Sequence, residues 1–554
     1  MTRLRKNRIL STLARLLGLL LLAALGSGAV FAQNGSAYFS PDNLVVSRSV
    51  YDNNPNNTVV GMTALPPNCV ATSGSCTTSP TTAISDGTSP YVWNNDSVDG
   101  SFGITSKLFL DQITTSGSLI NSLEVPNSSQ NGVPPTKDQM VTSFSSKSEL
   151  ALNLSTDHSY LTFMGYLAPI DALDVSNANT PGAVDPTNPV GENTFRVVAQ
   201  VDQKGKFRFT KTNAYSGNNG RAAILNNTQG ANVVYTSGNA GNGANPQPDG
   251  IIIGAGEQIL TPEVKALVAQ KPGNPTPVGS FNITQLGDKA DKIGKDTNFR
   301  GLTIFDNVVY MSKGSGSNGV NTAYFIDTTG MACPSTGVGL PQSGAALPTK
   351  GIDYSESLLQ TEGVFPYNMC ILQGFNTVLA KTTTNVFPFG IWFANATTVY
   401  VADEGSGDNT YFSATNTYTN AAAQTTAGLQ KWVSESGVWT HVYTLQAGLE
   451  LGVPYTVAGY PSGNNSATGL PWSPTTDGLR NITGTVNGDG TATIYAITST
   501  VSGNGDQGAD PNKLVAITDN LAATTLPAET FTPLRTDGNL EVLRGVSFAP
   551  GSGN

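Results

Sequence analysis

Short apolar runs separated by segments rich in glycine, asparagine and serine recur along the whole chain. In the clearest copy, apolar runs at residues 301–305 and 308–311 flank an Asp306-Asn307 pair, and a third run at 322–326 follows a polar loop. Runs of this length, rich in branched and aromatic residues, predict strands joined by tight turns rather than helices. Because one such unit cannot bury both of its faces, its copies are expected to stack.

Six copies of this unit align along the sequence. Their second strands are predicted at residues 44–46, 161–164, 233–236, 308–311, 399–402 and 493–496. A first strand precedes five of them, at residues 150–154, 222–225, 301–305, 390–393 and 481–486. The sixth first strand is predicted at the C-terminal end, at residues 543–548. A ring in which the C-terminal strand joins the N-terminal blade explains this split copy.

The sequence therefore predicts an all-β fold, a six-bladed β-propeller with four strands in each blade. Third strands are predicted at residues 107–113, 195–201, 250–254, 322–326, 429–433 and 513–518, and fourth strands at 119–125, 207–212, 278–284, 375–380, 439–445 and 531–535. Seven blades are the alternative, if residues 451–460 contain another strand pair. A β-helix or a pair of β-sandwiches would leave the split copy unexplained. The one helix prediction in the mature chain falls on residues 262–272.

Long segments between second and third strands would emerge on one face of such a propeller, and loops on a rigid scaffold are where binding sites usually lie. Abundant glycine and threonine with few charged residues, 12% of the chain, agree with strands and turns. The formal net charge of −10 argues against nucleic acid and anionic membrane surfaces as partners.

The N-terminal segment has the pattern of a secretory signal peptide. Arg3, Arg5, Lys6 and Arg8 precede an apolar run, and small residues follow up to Ala32. We expect cleavage after Ala32, so that residues 1–32 are the signal peptide and residues 33–554 one propeller domain. A retained anchor is the alternative, but the apolar run is shorter than the roughly 20 residues that a membrane span needs. The expected product is a secreted, periplasmic or extracellular monomer without a membrane span.

Four cysteines in an exported chain predict two disulfides, Cys69–Cys76 and Cys333–Cys370. A metal site is the alternative. It would need histidine or acidic partners nearby, and His158 and His441 lie far from these cysteines in the sequence.

One aligned position, just ahead of each first strand, stands out from the repeat. It holds arginine in four copies, glutamate in one and phenylalanine in one: Arg221, Arg300, Arg480, Arg544, Glu149 and Phe389. Because first strands are innermost in a propeller, these residues should converge on the mouth of the central channel. The ring could receive an anion such as a uronate, sulfate or other carboxylate, since guanidinium groups pair bidentately with such groups. Alternatively, each arginine pairs with a neighbouring blade and holds the ring together.

Candidate metal ligands and catalytic groups are fewer. Asp403, Glu404 and Asp408 could supply oxygen ligands for calcium on the same face, although they do not form a twelve-residue calcium loop. Histidine-based hydrolysis is disfavoured, because His158 is predicted in a turn on the opposite face and His441 in an outermost strand. The sequence assigns no catalytic residue.

The segment VYVADEG, residues 399–405, resembles the strand of NHL-repeat propellers, with Ser406 where that family usually has asparagine. The resemblance implies a six-bladed propeller with binding or calcium-assisted chemistry. We therefore expect a binding or interaction module for an anionic small molecule or acidic glycan, or for another extracellular protein. It would require no cofactor, although calcium could bind. An extracellular calcium-assisted hydrolase or lyase and an envelope-associated structural protein are the alternatives.

Overall fold

Six antiparallel sheets form the blades of a β-propeller, as the sequence predicts. The computed structural model describes residues 37–51, 64–68, 81–84, 94–95, 99–126, 140–143, 150–172, 175–176, 178–181, 194–212, 214–239, 256–262, 278–281, 298–315, 319–333, 337–349, 369–380, 382, 385–465, 468–503 and 510–553. Several predictions fall outside these residues: the signal peptide at residues 1–32, the disulfide Cys69–Cys76, Glu149, and the helix at residues 262–272, of which only Pro262 is described.

The chain ends by completing the blade in which it begins. Blade 1 has the order Glu541–Phe548, Leu44–Val50, Thr105–Ile113 and Leu119–Glu124 from the innermost strand outward. The C-terminal strand pairs with the first described strand from Leu44 opposite Phe548 to Val50 opposite Glu541. The predicted ring closure is therefore confirmed.

Each remaining blade is built from consecutive strands. From the innermost strand outward, blade 2 contains Asn153–Leu154, Tyr160–Tyr166, Arg196–Asp202 and Phe207–Thr212; blade 3 contains Gly220–Asn226, Val233–Gly238, Glu257–Leu260 and Val278–Phe281; blade 4 contains Phe299–Phe305, Val308–Lys313, Thr322–Ile326, Met369–Leu372 and a short parallel strand Val338–Gly339; blade 5 contains Pro388–Asn395, Thr398–Asp403, Gly428–Glu435 and Val438–Leu445; blade 6 contains Thr475–Val486, Thr491–Val501, Lys513–Asn520 and Thr532–Thr536.

Smaller elements decorate the blades. They comprise the strands Ala64–Asn68, Thr81–Ile84, Asn94–Asn95, Asp99–Gly103, Thr142–Ser143, Tyr411–Phe412 and Thr417–Tyr418 and the helix Thr419–Ala423. Residues 451–460, where the seven-bladed alternative required another strand pair, form only isolated bridges to blade 6, from Leu451 and Pro454. Six blades are therefore correct. Among the described residues, no helix is both long enough and apolar enough to cross a membrane.

Two strand predictions differ from the structure. The fourth strand of blade 4 is Met369–Leu372 rather than residues 375–380. The third strand of blade 3 is Glu257–Leu260, and the segment predicted for it, residues 250–254, lies outside the described residues. In blade 3, the glutamate and glutamine that open the strand are buried, so its polar start concealed it from a hydrophobicity pattern. In blade 4, Phe375 is buried but lies beyond the strand, in the turn that follows it.

The two faces of the propeller differ. The turn face carries the tight turns between first and second strands, such as Asp306-Asn307, where both residues have positive φ as such a two-residue turn requires. The loop face carries the long segments between second and third strands. Apolar side chains fill the space between neighbouring blades, as where the Phe393 ring packs 4.7 Å from that of Phe305 and 4.6 Å from that of Tyr310.

Candidate functional site

The aligned arginine position lies within the innermost strands rather than just ahead of them. In five blades the pairing with the second strand is interrupted there, and the aligned residue sits in the resulting β-bulge: Arg221, Arg300, Phe389, Arg480 and Arg544. A bulge adds a residue to one strand and redirects its side chain. The repeated bulge therefore explains why one sequence position carries a distinct set of side chains near the loop face.

The bulges also bring neighbouring blades into close contact. The Gly301 N–H donates to Ser312 Oγ at 2.9 Å, and that hydroxyl donates to the carbonyl of Phe389 in the next blade. The same arrangement recurs where Gly545 N–H donates to Ser47 Oγ and that hydroxyl donates to Leu150 O, each at 2.8 Å. A β-carbon at Gly301 would lie 1.9 Å from Phe389 O, so only glycine allows this approach.

Arg300 and Arg480 share one carboxylate across three blades. Glu404, which follows the second strand of blade 5, lies 3.2 Å from Arg300 Nη1 through Oε1 and 3.2 Å from Arg480 Nε through Oε2. Arg300 also donates to Ser315 Oγ, and its guanidinium carbon lies 5.8 Å from the centre of the Phe389 ring. All three charged side chains are at least nine-tenths buried.

The other two arginines, Arg544 and Arg221, donate hydrogen bonds to uncharged groups. Arg544 donates to Tyr51 Oη at 2.7 Å and to Ser49 Oγ at 3.2 Å, both in blade 1. Arg221 donates to Phe299 O at 2.9 Å and to the side chain of Asn298, and so contacts blade 4 from blade 3. Arg221, Arg300 and Arg480 thus make contacts between blades, as expected if the arginines hold the ring together, whereas these two contacts of Arg544 lie within blade 1.

Two of the arginines act electrostatically on a third, Arg480. Burial lowers the pKa of Arg480; Glu404 raises it, and the positive charges of Arg300 and Arg544 lower it further. We call Arg300, Arg480, Arg544 and Glu404 the arginine cluster. Arg221 lies at the seam between blades 3 and 4, where it donates to Phe299 O.

The acidic residues beside the cluster organise the loop after the second strand of blade 5. Asp403 is fully buried; its carboxylate accepts hydrogen bonds from Phe387 N at 2.8 Å, Gly405 N at 3.0 Å and Gln430 Nε2 at 3.2 Å. Burial raises its pKa to about 7, against the effect of the two backbone donors. Asp477, from blade 6, accepts from Gly407 N at 2.7 Å.

The predicted calcium ligands have other partners. Glu404 pairs with arginines, and Asp408 lies in an exposed turn, where its Oδ1 accepts from Thr410 and its Oδ2 from Asn420. Among the described residues, Asp327, Cys333 and Cys370 form the only group of three potential ligand side chains within 4.8 Å of one another. Those two cysteines form the predicted disulfide, which leaves no thiolate for a metal.

A central cavity of about 560 Å³ runs between the innermost strands. Gly301, Gly390 and Asn481, which directly follow Arg300, Phe389 and Arg480, line it, and His158 and Asn307 lie at its turn-face end. None of the four arginines is among its lining residues. The arginine cluster therefore lies beyond the loop-face end of the cavity.

Several partners of the arginines were not found by sequence reasoning. Tyr51, Ser315 and Asn298 lie outside the aligned strands, so no repeat marks them. Glu404 was predicted as a calcium ligand and not as a partner of the arginines. Glu404 directly follows a strand predicted to be buried, and Asp403 beside it is fully buried. A carboxylate at such a position needs a partner, which was the one indication in the sequence that Glu404 pairs with a cation or binds a ligand.

No protein-family model matches the chain, and a search of curated proteins finds no match. The resemblance to NHL repeats therefore extends only to the six-bladed arrangement. Solved structures similar to the chain include the Hadza microbial sialidase Hz136, at 6% identity and TM-score 0.28, over 80% of this chain and 58% of that one. A mutant apocarotenoid oxygenase from Synechocystis matches at 7% identity and TM-score 0.30, over 80% of this chain and 72% of that one.

An ulvan lyase from a polysaccharide lyase family matches at 10% identity and TM-score 0.30, over 80% of this chain and 90% of that one. The chain spans less than two thirds of the sialidase and more of the other two. Similarity at this level carries no argument about function. The class that the structure itself defines is a six-bladed β-propeller with a buried arginine cluster near its loop face.

Proposed function

We propose that this protein is an exported, monomeric binding module that recognises an anionic small molecule or an acidic glycan at the arginine cluster. The observation that carries the proposal is that Glu404 lies 3.2 Å from both Arg300 and Arg480, while the positive charges of Arg300 and Arg544 both lower the pKa of Arg480. Guanidinium groups form bidentate hydrogen bonds with carboxylates and sulfates, and an anion between like charges offsets their repulsion.

The surroundings of the cluster favour anions most at mildly acidic pH. Asp403 directly precedes Glu404, and its pKa of about 7 makes it largely neutral below that pH. As the pH falls from 8 to 6, Asp403 loses negative charge, and its repulsion of a bound anion weakens. The disulfide Cys333–Cys370 is a bond typical of exported proteins and supports the proposed compartment.

A purely structural role for the arginines predicts a different outcome. If the arginines only join blades, the wild-type protein should not bind anions, and replacing one arginine should lower stability alone. If they form a receptor, the same replacement should weaken a binding that the wild-type protein displays. The two interpretations therefore separate once binding and unfolding are measured on the same variants.

The test is calorimetric titration with galacturonate and with inorganic sulfate at pH 6. We expect saturable binding by the wild-type protein and a loss of about tenfold or more in affinity for Arg544→Gln, since a charged hydrogen bond contributes roughly 1.5–3 kcal/mol. Arg208→Gln is the matched control, because Arg208 is exposed on the outermost strand of blade 2. Circular dichroism establishes that each variant is folded.

Two results would overturn the proposal. One is that neither anion binds the wild-type protein at pH 6. The other is that Arg544→Gln and Arg208→Gln bind with equal affinity, which would place the anion elsewhere on the surface.

A further inference from the structure

The central cavity has chemistry unlike that of the arginine cluster. Its described lining residues include aliphatic, aromatic, hydroxyl and amide side chains and one histidine, and no aspartate, glutamate, lysine or arginine is among them. Its volume of about 560 Å³ falls within the roughly 300–1,000 Å³ typical of small-molecule sites. These residues offer no countercharge to a charged ligand, and an uncharged ligand needs none.

Polar groups along the wall are available for a ligand. The hydroxyls of Thr303, Thr483 and Thr485 and the indole N–H of Trp392 make no hydrogen bond to any part of the chain that the structure describes. All four side chains are partly exposed. They come from blades 4, 5 and 6, so donors and acceptors converge on one space from different directions.

Trp392 adds an apolar ring to these hydroxyls. It stacks on Tyr400 with ring centres 5.9 Å apart, and a β-carbon at Gly484 would lie 2.9 Å from its ring. The indole is therefore fixed by packing on both neighbours while part of it faces the cavity. A fixed aromatic ring beside several hydroxyls suits a ligand with both an apolar face and hydroxyl groups.

A segment of blade 4 borders the cavity at the turn face. After the third strand of that blade, the chain carries Leu347 to the cavity wall. Tyr235 of blade 3 donates to Pro348 O at 2.6 Å, and the disulfide Cys333–Cys370 joins the start of the segment to the fourth strand of blade 4. These two attachments hold the rim of the cavity in place.

We propose that the cavity is a second binding site, open to the turn face, that takes an uncharged carbohydrate unit. Its threonine hydroxyls would exchange hydrogen bonds with the sugar hydroxyls, and Trp392 would pack on the apolar face of the sugar ring. This site is independent of the arginine cluster, since it uses neither the arginines nor Glu404.

The experiment is saturation-transfer NMR and calorimetric titration with three uncharged probes: methyl α-glucoside, methyl β-galactoside and methyl α-rhamnoside. We expect at least one to bind at millimolar concentration. The double variant Thr303→Val/Thr483→Val keeps side-chain volume and removes two hydroxyls, so it should raise the Kd about tenfold. Thr493→Val is the matched control. Thr493 lies on the second strand of blade 6 and not among the cavity-lining residues, and its hydroxyl is hydrogen-bonded to that of Thr518.

Trp392→Phe provides a second test that does not depend on the double variant folding. It keeps an aromatic ring and loses the indole N–H, and should weaken binding of the same probe. Arg544→Gln should leave glycoside binding unchanged, which separates this site from the anion site. Absence of saturation transfer for all three glycosides, or equal affinity of the double variant and Thr493→Val, would show that the cavity is only a water-filled passage.

Discussion

Two buried charge clusters between the blades differ in how fully their charges are matched. Between blades 5 and 6, Lys431 and Asp519 are both fully buried, with 3.0 Å between Nζ and Oδ2. Lys431 also donates to Tyr443 Oη at 2.9 Å and Asn520 O at 2.6 Å, and Asp519 accepts from the hydroxyls of Tyr400 and Tyr443. Lys431 thus faces Asp519, and Glu529 lies beside this pair, where burial and the charge of Asp519 raise the Glu529 pKa.

The arginine cluster has a different composition. Arg300 and Arg544 both lower the pKa of Arg480, and Glu404 is the carboxylate that bridges Arg300 and Arg480. Burial of Lys431 with Asp519 is a closed structural arrangement, since every donor of the ammonium has an acceptor. The arginine cluster has the charge type and the planar donors that suit a further anion. The difference indicates which cluster stabilises the ring and which one is a candidate receptor.

The largest expected effect is on the matched cluster. Lys431→Met would leave the Asp519 carboxylate buried without its cation and should lower the free energy of unfolding by roughly 3–5 kcal/mol. Chemical denaturation measures this loss. Lys204→Met, at an exposed turn of blade 2, should change it by less than about 0.5 kcal/mol. If the two variants were equally stable, the Lys431–Asp519 pair would not hold blades 5 and 6 together.

Glu404→Gln should lower the free energy of unfolding by roughly 1–3 kcal/mol, less than Lys431→Met does, because the amide oxygen still accepts a hydrogen bond from one guanidinium. Chemical denaturation of both variants under the same conditions measures the difference. A loss as large as that of Lys431→Met would mean that Glu404 serves the ring as Asp519 does. The arginine cluster would then be structural.

The smallest effect concerns pH. The pKa of Asp403 is raised to about 7 in the folded protein by burial, so the folded state binds a proton more readily than the unfolded state does. Stability that depends on this proton is present at low pH and declines as the pH rises towards 7. Asp537, whose pKa burial also raises to about 7, contributes in the same direction.

Asp403→Asn should therefore reduce the decline in unfolding free energy between pH 5 and pH 7 by roughly 1–2 kcal/mol. Asp489→Asn, at a fully exposed turn, is the control and should keep the wild-type slope over this range. Identical slopes for wild type and Asp403→Asn would show that Asp403 stays ionised through that pH range.

The fold was largely predictable because its strands carry local signals. Runs such as residues 308–311 and 399–402 are apolar, branched and bounded by turns, and the unmatched strand at residues 543–548 indicated ring closure. The third strand of blade 3 was missed because Glu257 and Gln258 open it, and their burial depends on contacts with other strands.

The candidate site was predictable only in part. The repeated arginines were visible, but the β-bulges that place them inside the strands depend on register between strands, which no local pattern records. The pairing of Glu404 with Arg300 and Arg480 joins residues 104 and 76 positions apart in the chain. Such pairing follows from the angle between blades, which sequence spacing does not specify.

Titration of galacturonate into wild type and Glu404→Gln at pH 6 decides whether the arginine cluster is a receptor. Removing the Glu404 charge raises the net positive charge of the cluster, so we expect the variant to bind galacturonate more tightly, even though it is less stable. Unchanged or weaker binding by a folded Glu404→Gln protein would contradict this expectation and would identify the arginine cluster as a structural joint between blades.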